Sequence, residues 1–207
     1  MKYDVSHINR ARAMSRTPNS RKEETHERIV DVAARALRRR GYAGVGVAEV
    51  MKEAGLTHGG FYAHFESREA LLSEALAHAG QNGIAELTRK AGLHRARGAS
   101  RLRALIEGYL SETHLADAES GCWVAALLAE MPRQSPPLRD AALQRVHSLV
   151  ETVRNAMPEP RAREDAMVIA ATLVGALQMA RALGANVKGR SMLAAARRSL
   201  LAVHDKD

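Results

Sequence analysis

From residue 20 onward, apolar residues return at three- and four-residue intervals. Ile29, Ala33, Ala36 and Leu37 fall at i, i+4, i+7 and i+8, which predicts a helix with one buried stripe. Ser20 followed by Glu23 reads as a capping box at its start, and Gly41 takes the usual role just past its end. Arg38, Arg39 and Arg40 occupy the last turn, where they complement the helix dipole. Val47, Val50, Met51 and Ala54 predict a second, short helix, with Gly46 ahead of it as N-cap and Gly55 breaking it. Leu56 plugs the turn into the core, and Thr57 caps a third short helix. There Phe61 and Phe65 lie one turn apart on the inner face, while His58, Gly59, Tyr62 and His64 point elsewhere. So short a helix is unstable alone, and the two Phe rings anchor it. Ser67 caps a fourth helix whose apolar face is Leu71, Leu72, Ala75, Leu76 and Ala79.

Further on, Gly80 and Gly83 predict a bend, and the stretch 92–100 predicts a loop. The periodicity then places helices over 101–115, 121–131, 136–156, 162–184 and 191–204. Ser135-Pro136 forms an N-cap with proline at the first helical position, and Ser191 caps the last helix. The segment Ala166–Ala182 is apolar nearly all round, so it must be buried on several sides. It contains Thr172, Gln178 and Arg181 and falls short of the roughly 20 apolar residues that span a bilayer. Its small residues Ala170, Ala171, Gly175 and Ala176 allow another helix to approach closely. Residues 1–19 are polar and basic with no apolar stripe, and read as a flexible arm. Strand-like runs are missing, so the fold class is all-α.

Between 41 and 72, a short helix, a tight turn, a second short helix and the capped start of a third make a helix-turn-helix. The first of these helices packs and the second is offered to a DNA groove. Charge supports this reading. The net charge is +8, of which residues 1–68 carry +5 and the twice-longer remainder only +3. The single cysteine, Cys122, excludes an intrachain disulfide and fits a reducing compartment. The N-terminal MKYDVSHINR lacks the apolar run of a secretory signal, so a cytoplasmic protein is expected, without a membrane partner. No G-x-S-x-G, H-E-x-x-H or phosphate-binding glycine loop is present, and the nine histidines are scattered. No enzymatic activity, cofactor or metal is expected.

Residues 20–76 resemble the TetR-type family of bacterial transcriptional regulators. The resemblance rests on the Gly41-Tyr42 step, the helix-turn-helix Val47–Phe65, the closing Tyr62-Ala63-His64-Phe65, and Ser67-Arg68-Glu69. Val45-Gly46 stands where the family usually has Thr or Ser, and Arg68 replaces the usual Lys. The resemblance implies a helix-turn-helix domain over 20–66, after an arm over 1–19, and a helical ligand-binding and dimerisation domain over 67–207. It assigns Thr57, Gly59, Gly60, Tyr62, His64 and Arg68 to the DNA face. Lys52 and His58 add the best side chains for base or flanking contacts.

The resemblance also implies that the middle helices enclose a cavity for an apolar or amphipathic effector. Candidate lining residues are Leu102, Ile106, Tyr109, Cys122, Trp123, Leu127, Met131, Met167 and Leu177. Trp123, the only Trp, offers a large apolar face and one donor. The apolar 162–184 helix and the last helix would build a four-helix dimer interface, presenting two readers to a palindromic operator on double-stranded DNA. The expected function is a repressor released by a small molecule. The alternatives are regulation by a protein partner, or by oxidation or electrophile modification of Cys122, whose place at a predicted helix N-terminus favours reactivity. A thiol enzyme using Cys122 with His114 or His147 has no supporting spacing.

Overall fold

A computed structural model describes residues 18–78, 98–119, 121–157 and 163–205, all helices, turns and loops without a strand among them. The predicted arm, the bend at Gly80 and Gly83, and most of the 92–100 loop lie outside these residues.

The first helix runs Pro18–Arg40, starting before the expected Ser20 because proline's fixed φ suits the first helical turn. It buries Ile29, Val30, Val32, Ala33, Ala34, Ala36 and Leu37. Gly41 ends it at φ +71°, donating its N–H to the Leu37 carbonyl (2.9 Å). That left-handed conformation favours glycine, and any Cβ here would also collide with the Glu130 carboxylate. The second helix, Val47–Glu53, buries Val50 and Met51. Gly55, at φ +73°, reverses the chain, and the Leu56 N–H closes the turn on the Met51 carbonyl (2.8 Å). The third element, His58–Ala63, is a 3-10 helix, and the Thr57 side chain makes no cap bond to it. Two adjacent glycines in six residues give poor α-helix propensity, so the element is held by its rings instead. Phe61 stacks on Phe65 with centroids 5.6 Å apart, and Phe65 stacks on His26 of the first helix at 4.5 Å. Ser67 caps the helix at 68–78 as expected, its Oγ accepting from the Ala70 N–H (3.0 Å).

The expected helix over 101–115 is two pieces, Arg101–Tyr109 and Glu112–Ala116. Two side chains make the break. The Ser111 hydroxyl accepts the His114 N–H (3.2 Å), and the His114 ring nitrogen Nδ1 pairs with the Tyr109 carbonyl (2.6 Å), which a continuous helix would have used. The expected 121–131 helix is a single α-turn, Trp123–Leu127, that tightens into a 3-10 segment, Leu128–Arg133, containing Pro132. Three long helices follow: Pro136–Ala156, Arg163–Leu183 and Val187–His204. Ser191 does not cap the last of them. Asn186 does, its Oδ1 accepting from the N–H groups of Lys188 (2.9 Å) and Gly189 (3.3 Å). Gly189 lets that helix rest on the preceding turn, because a Cβ would strike the Gly184 carbonyl and come within 2.8 Å of the Ala180 carbonyl oxygen.

By length and mean hydropathy (1.7 in an 18-residue window within Glu164–Leu183), the long apolar helix does reach what a bilayer span needs. Its packing is that of a core helix. Ala166, Ile169, Ala170, Leu173, Val174, Leu177 and Ala180 are buried within the protein. One apolar cluster runs from the first helix through the 68–78 helix into this bundle.

Candidate DNA interface and effector pocket

The reader presents a polar face built from the second and third elements. Lys52, Thr57, His58 and Gly59 are exposed, Gly60 is half-buried beside Met51, and Tyr62 is 72% exposed. The buried Phe61 sets this orientation, since the Tyr62 ring stands edge-on to it at 5.2 Å and is forced outward. Two of the expected DNA-face residues also make contacts within the protein, His64 half-buried and Arg68 exposed. His64 leans against Phe65 and His26, and burial, with His26 and Lys22 nearby, lowers its pKa. The Arg68 guanidinium is spent on backbone: Nε donates to the Val45 carbonyl (2.9 Å) and Nη2 to the Tyr42 carbonyl. It pins the loop between the first two helices to the start of the fourth. Sequence spacing could not reveal this, because the carbonyls it reaches lie more than twenty positions upstream.

The same loop is held from the other side by the helical domain. The Tyr42 N–H donates to Glu130 Oε2 (3.0 Å), and its hydroxyl reaches the Met131 sulfur (3.6 Å). Arg38 donates from Nε to the Glu119 carbonyl, and Arg39 bridges the Glu119 carboxylate and Glu53 of the second helix, both at 3.2 Å. The arginines at the end of the first helix thus do more than complement its dipole. They join the reader to Glu119, a role whose only sequence signal was their clustering.

Of the expected pocket residues, Leu102, Ile106, Tyr109, Trp123, Leu127, Met131 and Leu177 are buried in the common core, and Cys122 is half-buried at the edge of it. Met167 does not join them. It is 53% exposed, because ten residues along an α-helix turn it about 80° away from Leu177. It lies instead with Val168, Met179 and Leu183 on an exposed apolar face of the 163–183 helix, while the following helix exposes Val187 and Val203. Elsewhere an open groove of about 410 Å³ lies between Glu107 and Glu112 on one side and Arg197 and Arg198 on the other. None of its residues was an expected site. Among the described residues no group of His, Cys, Asp and Glu could hold a metal ion.

Comparison with known proteins decides what this arrangement is. Residues 29–75 match the family described as bacterial regulatory proteins, tetR family, and residues 98–198 match the tetracyclin repressor-like C-terminal domain. An uncharacterized HTH-type transcriptional regulator of Mycobacterium tuberculosis is 31% identical over 166 residues, which cover 75% of this chain and 83% of that protein.

The chain belongs to the TetR family of bacterial transcriptional regulators.

The family is one of DNA-binding regulators and not of enzymes. The HTH-type transcriptional regulator AcrR of Shigella flexneri is 36% identical over 61 residues, 30% of this chain and 28% of that one. Among solved structures, the reduced form of E. coli NemR superposes with a TM-score of 0.72 at 20% identity, covering 87% of this chain and 97% of the other. A TetR transcriptional regulator from Chloroflexus aurantiacus gives 0.70 at 22% identity, with 89% and 97% covered. At these identities the two structures speak for the fold alone.

Proposed function

We propose that this TetR-family regulator is a homodimeric cytoplasmic repressor that leaves a palindromic operator when a small apolar or amphipathic molecule enters its helical domain. The reader is residues 20–66, and the sensing and dimerising part is residues 67–207. Lys52, Thr57, His58, Gly59, Gly60 and Tyr62 meet the DNA. His64 packs behind them, and the exposed Arg68 holds the 42–45 loop beside them. Gly59 and Gly60 bring the backbone close to the duplex, and Thr57 and Tyr62 donate to phosphates, which positions the reader without specifying sequence.

The observation that carries this reading is the clamp on Tyr42. Its N–H is held by Glu130 of the helical domain, and its carbonyl by Arg68 at the start of the 68–78 helix. A ligand that moves either support moves the loop leading into the helix-turn-helix. It does so only if it binds the two states with different affinity. Exposed Met167, Val168, Met179 and Leu183 support a dimer, since an apolar face of this kind calls for a protein partner.

Selection of duplexes from a random pool is expected to return an inverted repeat, with half-site centres about one helical turn, or a multiple, apart. Affinity falls steeply with salt as counterions are released. The double substitution Met167→Asp, Val168→Asp is expected to give a folded monomer by sedimentation and to abolish binding to the selected duplex. A dimer that survives it, or equal affinity for selected and random DNA, rules the reading out.

A further inference from the structure

Among the described residues, five buried side-chain nitrogen or oxygen atoms have no strong hydrogen-bond partner, and three of them belong to residues that meet around His114 and the carbonyls of Asp117 and Glu119. They are Arg38 Nη1, Tyr109 Oη and Arg181 Nε. Cys122 acts electrostatically on all three residues, and its sulfur, a weak acceptor, lies beside the Tyr109 hydroxyl. Buried donors without a strong partner are rare, so three in one place call for an explanation.

The neighbouring groups are already committed. Arg38 uses Nε on the Glu119 carbonyl. Arg181 uses Nη2 on the carbonyls of His114 (2.9 Å) and Asp117 (3.3 Å). The His114 ring, edge-on to Tyr109, pairs through Nδ1 with the Tyr109 carbonyl (2.6 Å), and its Nε2 accepts the Cys122 N–H (2.9 Å). With both ring nitrogens engaged this way His114 is neutral and has no lone pair for the Tyr109 hydroxyl. Gly121 lets the Arg181 guanidinium lie against the chain, since a Cβ there would come within 2.8 Å of Arg181 Nη2 and of His114. The carboxylates that face the cluster are Asp117, which acts on both arginines, and Asp31, which acts on Arg38 while pairing with Arg35 and lying 3.6 Å from His78. Arg35 adds a further positive charge beside Arg38. Burial pulls both guanidinium groups below their usual range and pushes the Tyr109 hydroxyl well above its own. Two guanidinium groups that are buried or half-buried and a buried hydroxyl, none fully paired by a strong acceptor, make an environment for an anion.

We infer that Arg38, Arg181 and Tyr109 form an anion-binding subsite beside Cys122, which takes the carboxylate head of an amphipathic effector while its tail lies among the apolar residues around Trp123. The inference rests on the proposed small-molecule control and names the chemical class of that molecule. A carboxylate offers acceptors for the two unpaired guanidinium N–H groups and a stronger acceptor than the thiol for the Tyr109 hydroxyl, and the arginine fork suits it better than a lysine would. The placement also has a mechanical consequence. Arg38 ends the first helix of the reader, whereas Arg181 lies on the 163–183 helix, so a head group shared by the two ties the reader to the body of the protein.

The test uses straight-chain carboxylates from hexanoate to tetradecanoate against primary alcohols of the same lengths, read by Trp123 fluorescence and by thermal denaturation. The wild-type protein is expected to prefer the best acid over its alcohol by about tenfold or more. Tyr109→Phe and Arg181→Gln are expected to erase the preference, bringing the ratio of acid to alcohol affinity measured within each variant close to one. Should Arg181→Gln fail to fold, the wild-type comparison and Tyr109→Phe still decide. Binding of acids and alcohols with equal affinity overturns the subsite and leaves small-molecule control standing. Binding of neither series overturns both. An equal fluorescence response to chloride or phosphate alone overturns the head-group assignment in favour of a free inorganic anion. Carboxylate binding is expected to survive Cys122→Ser, and its loss there overturns the assignment to the arginines and Tyr109.

Discussion

The reader and the helical domain bury apolar surface in different ways. In residues 18–78 the large side chains converge on Ile29, Leu37, Met51, Phe61, Phe65 and Leu72, and the one large hydrophobic residue left exposed is Tyr62, which carries a hydroxyl. In residues 98–205 the core is larger and takes in His114 and part of Arg181, yet Met167, Val168, Met179, Leu183, Val187 and Val203 stay outside it. The difference points to different partners. The reader offers donors, which suit a phosphate backbone. The helical domain offers apolar area, which suits another protein surface.

The sharpest way to break the comparison is to attack the reader's core. Phe65→Ala removes a ring that stacks on both Phe61 and His26, and is expected to cost ~3–5 kcal/mol in urea denaturation. If the cost stays below about 1 kcal/mol, the 3-10 element is held by something other than its rings. A smaller effect is expected where the start of the 68–78 helix holds the 42–45 loop. Arg68→Ala deletes both bonds to the 42–45 loop and should destabilise the protein by ~1–3 kcal/mol, with DNA affinity falling in step as the loop loosens. Lost DNA affinity with an unchanged melting temperature would return Arg68 to the DNA face. The smallest effect belongs to Tyr62→Phe. Its ring is exposed, so stability should not change, while affinity for the selected duplex should drop by ~0.5–1.5 kcal/mol as one phosphate donor is lost. A stability change without an affinity change would show that the hydroxyl faces the protein and not the duplex.

The reader was legible because its signals are local. Gly41 and Gly55 mark turns that need positive φ, and Phe61 and Phe65 are spaced by one turn; both features can be read from a few adjacent residues. The 3-10 character of His58–Ala63 was hidden, because periodicity at i and i+4 does not separate a tight helix from an ordinary one over six residues. In the helical domain the long helices were legible, but the breaks were not. Ser111 and His114 interrupt a helix that apolar spacing alone would continue, and Asn186 starts the last helix before the Ser191 that a capping rule selects.

The sequence by itself determined the all-helical class, the helix-turn-helix and the family, since these rest on repeat spacing, turn chemistry and motif order within a short stretch. Only the tertiary structure decided that Arg68 serves the loop, that Met167 faces outward, that Glu130 holds Tyr42, and that Arg38 and Arg181 reach the carbonyls of Glu119 and Asp117. The physical reason is range. A turn or a cap is settled by neighbours a few residues away. The partner of a long charged side chain is settled by which distant carbonyl or carboxylate the packing of whole helices brings within its reach.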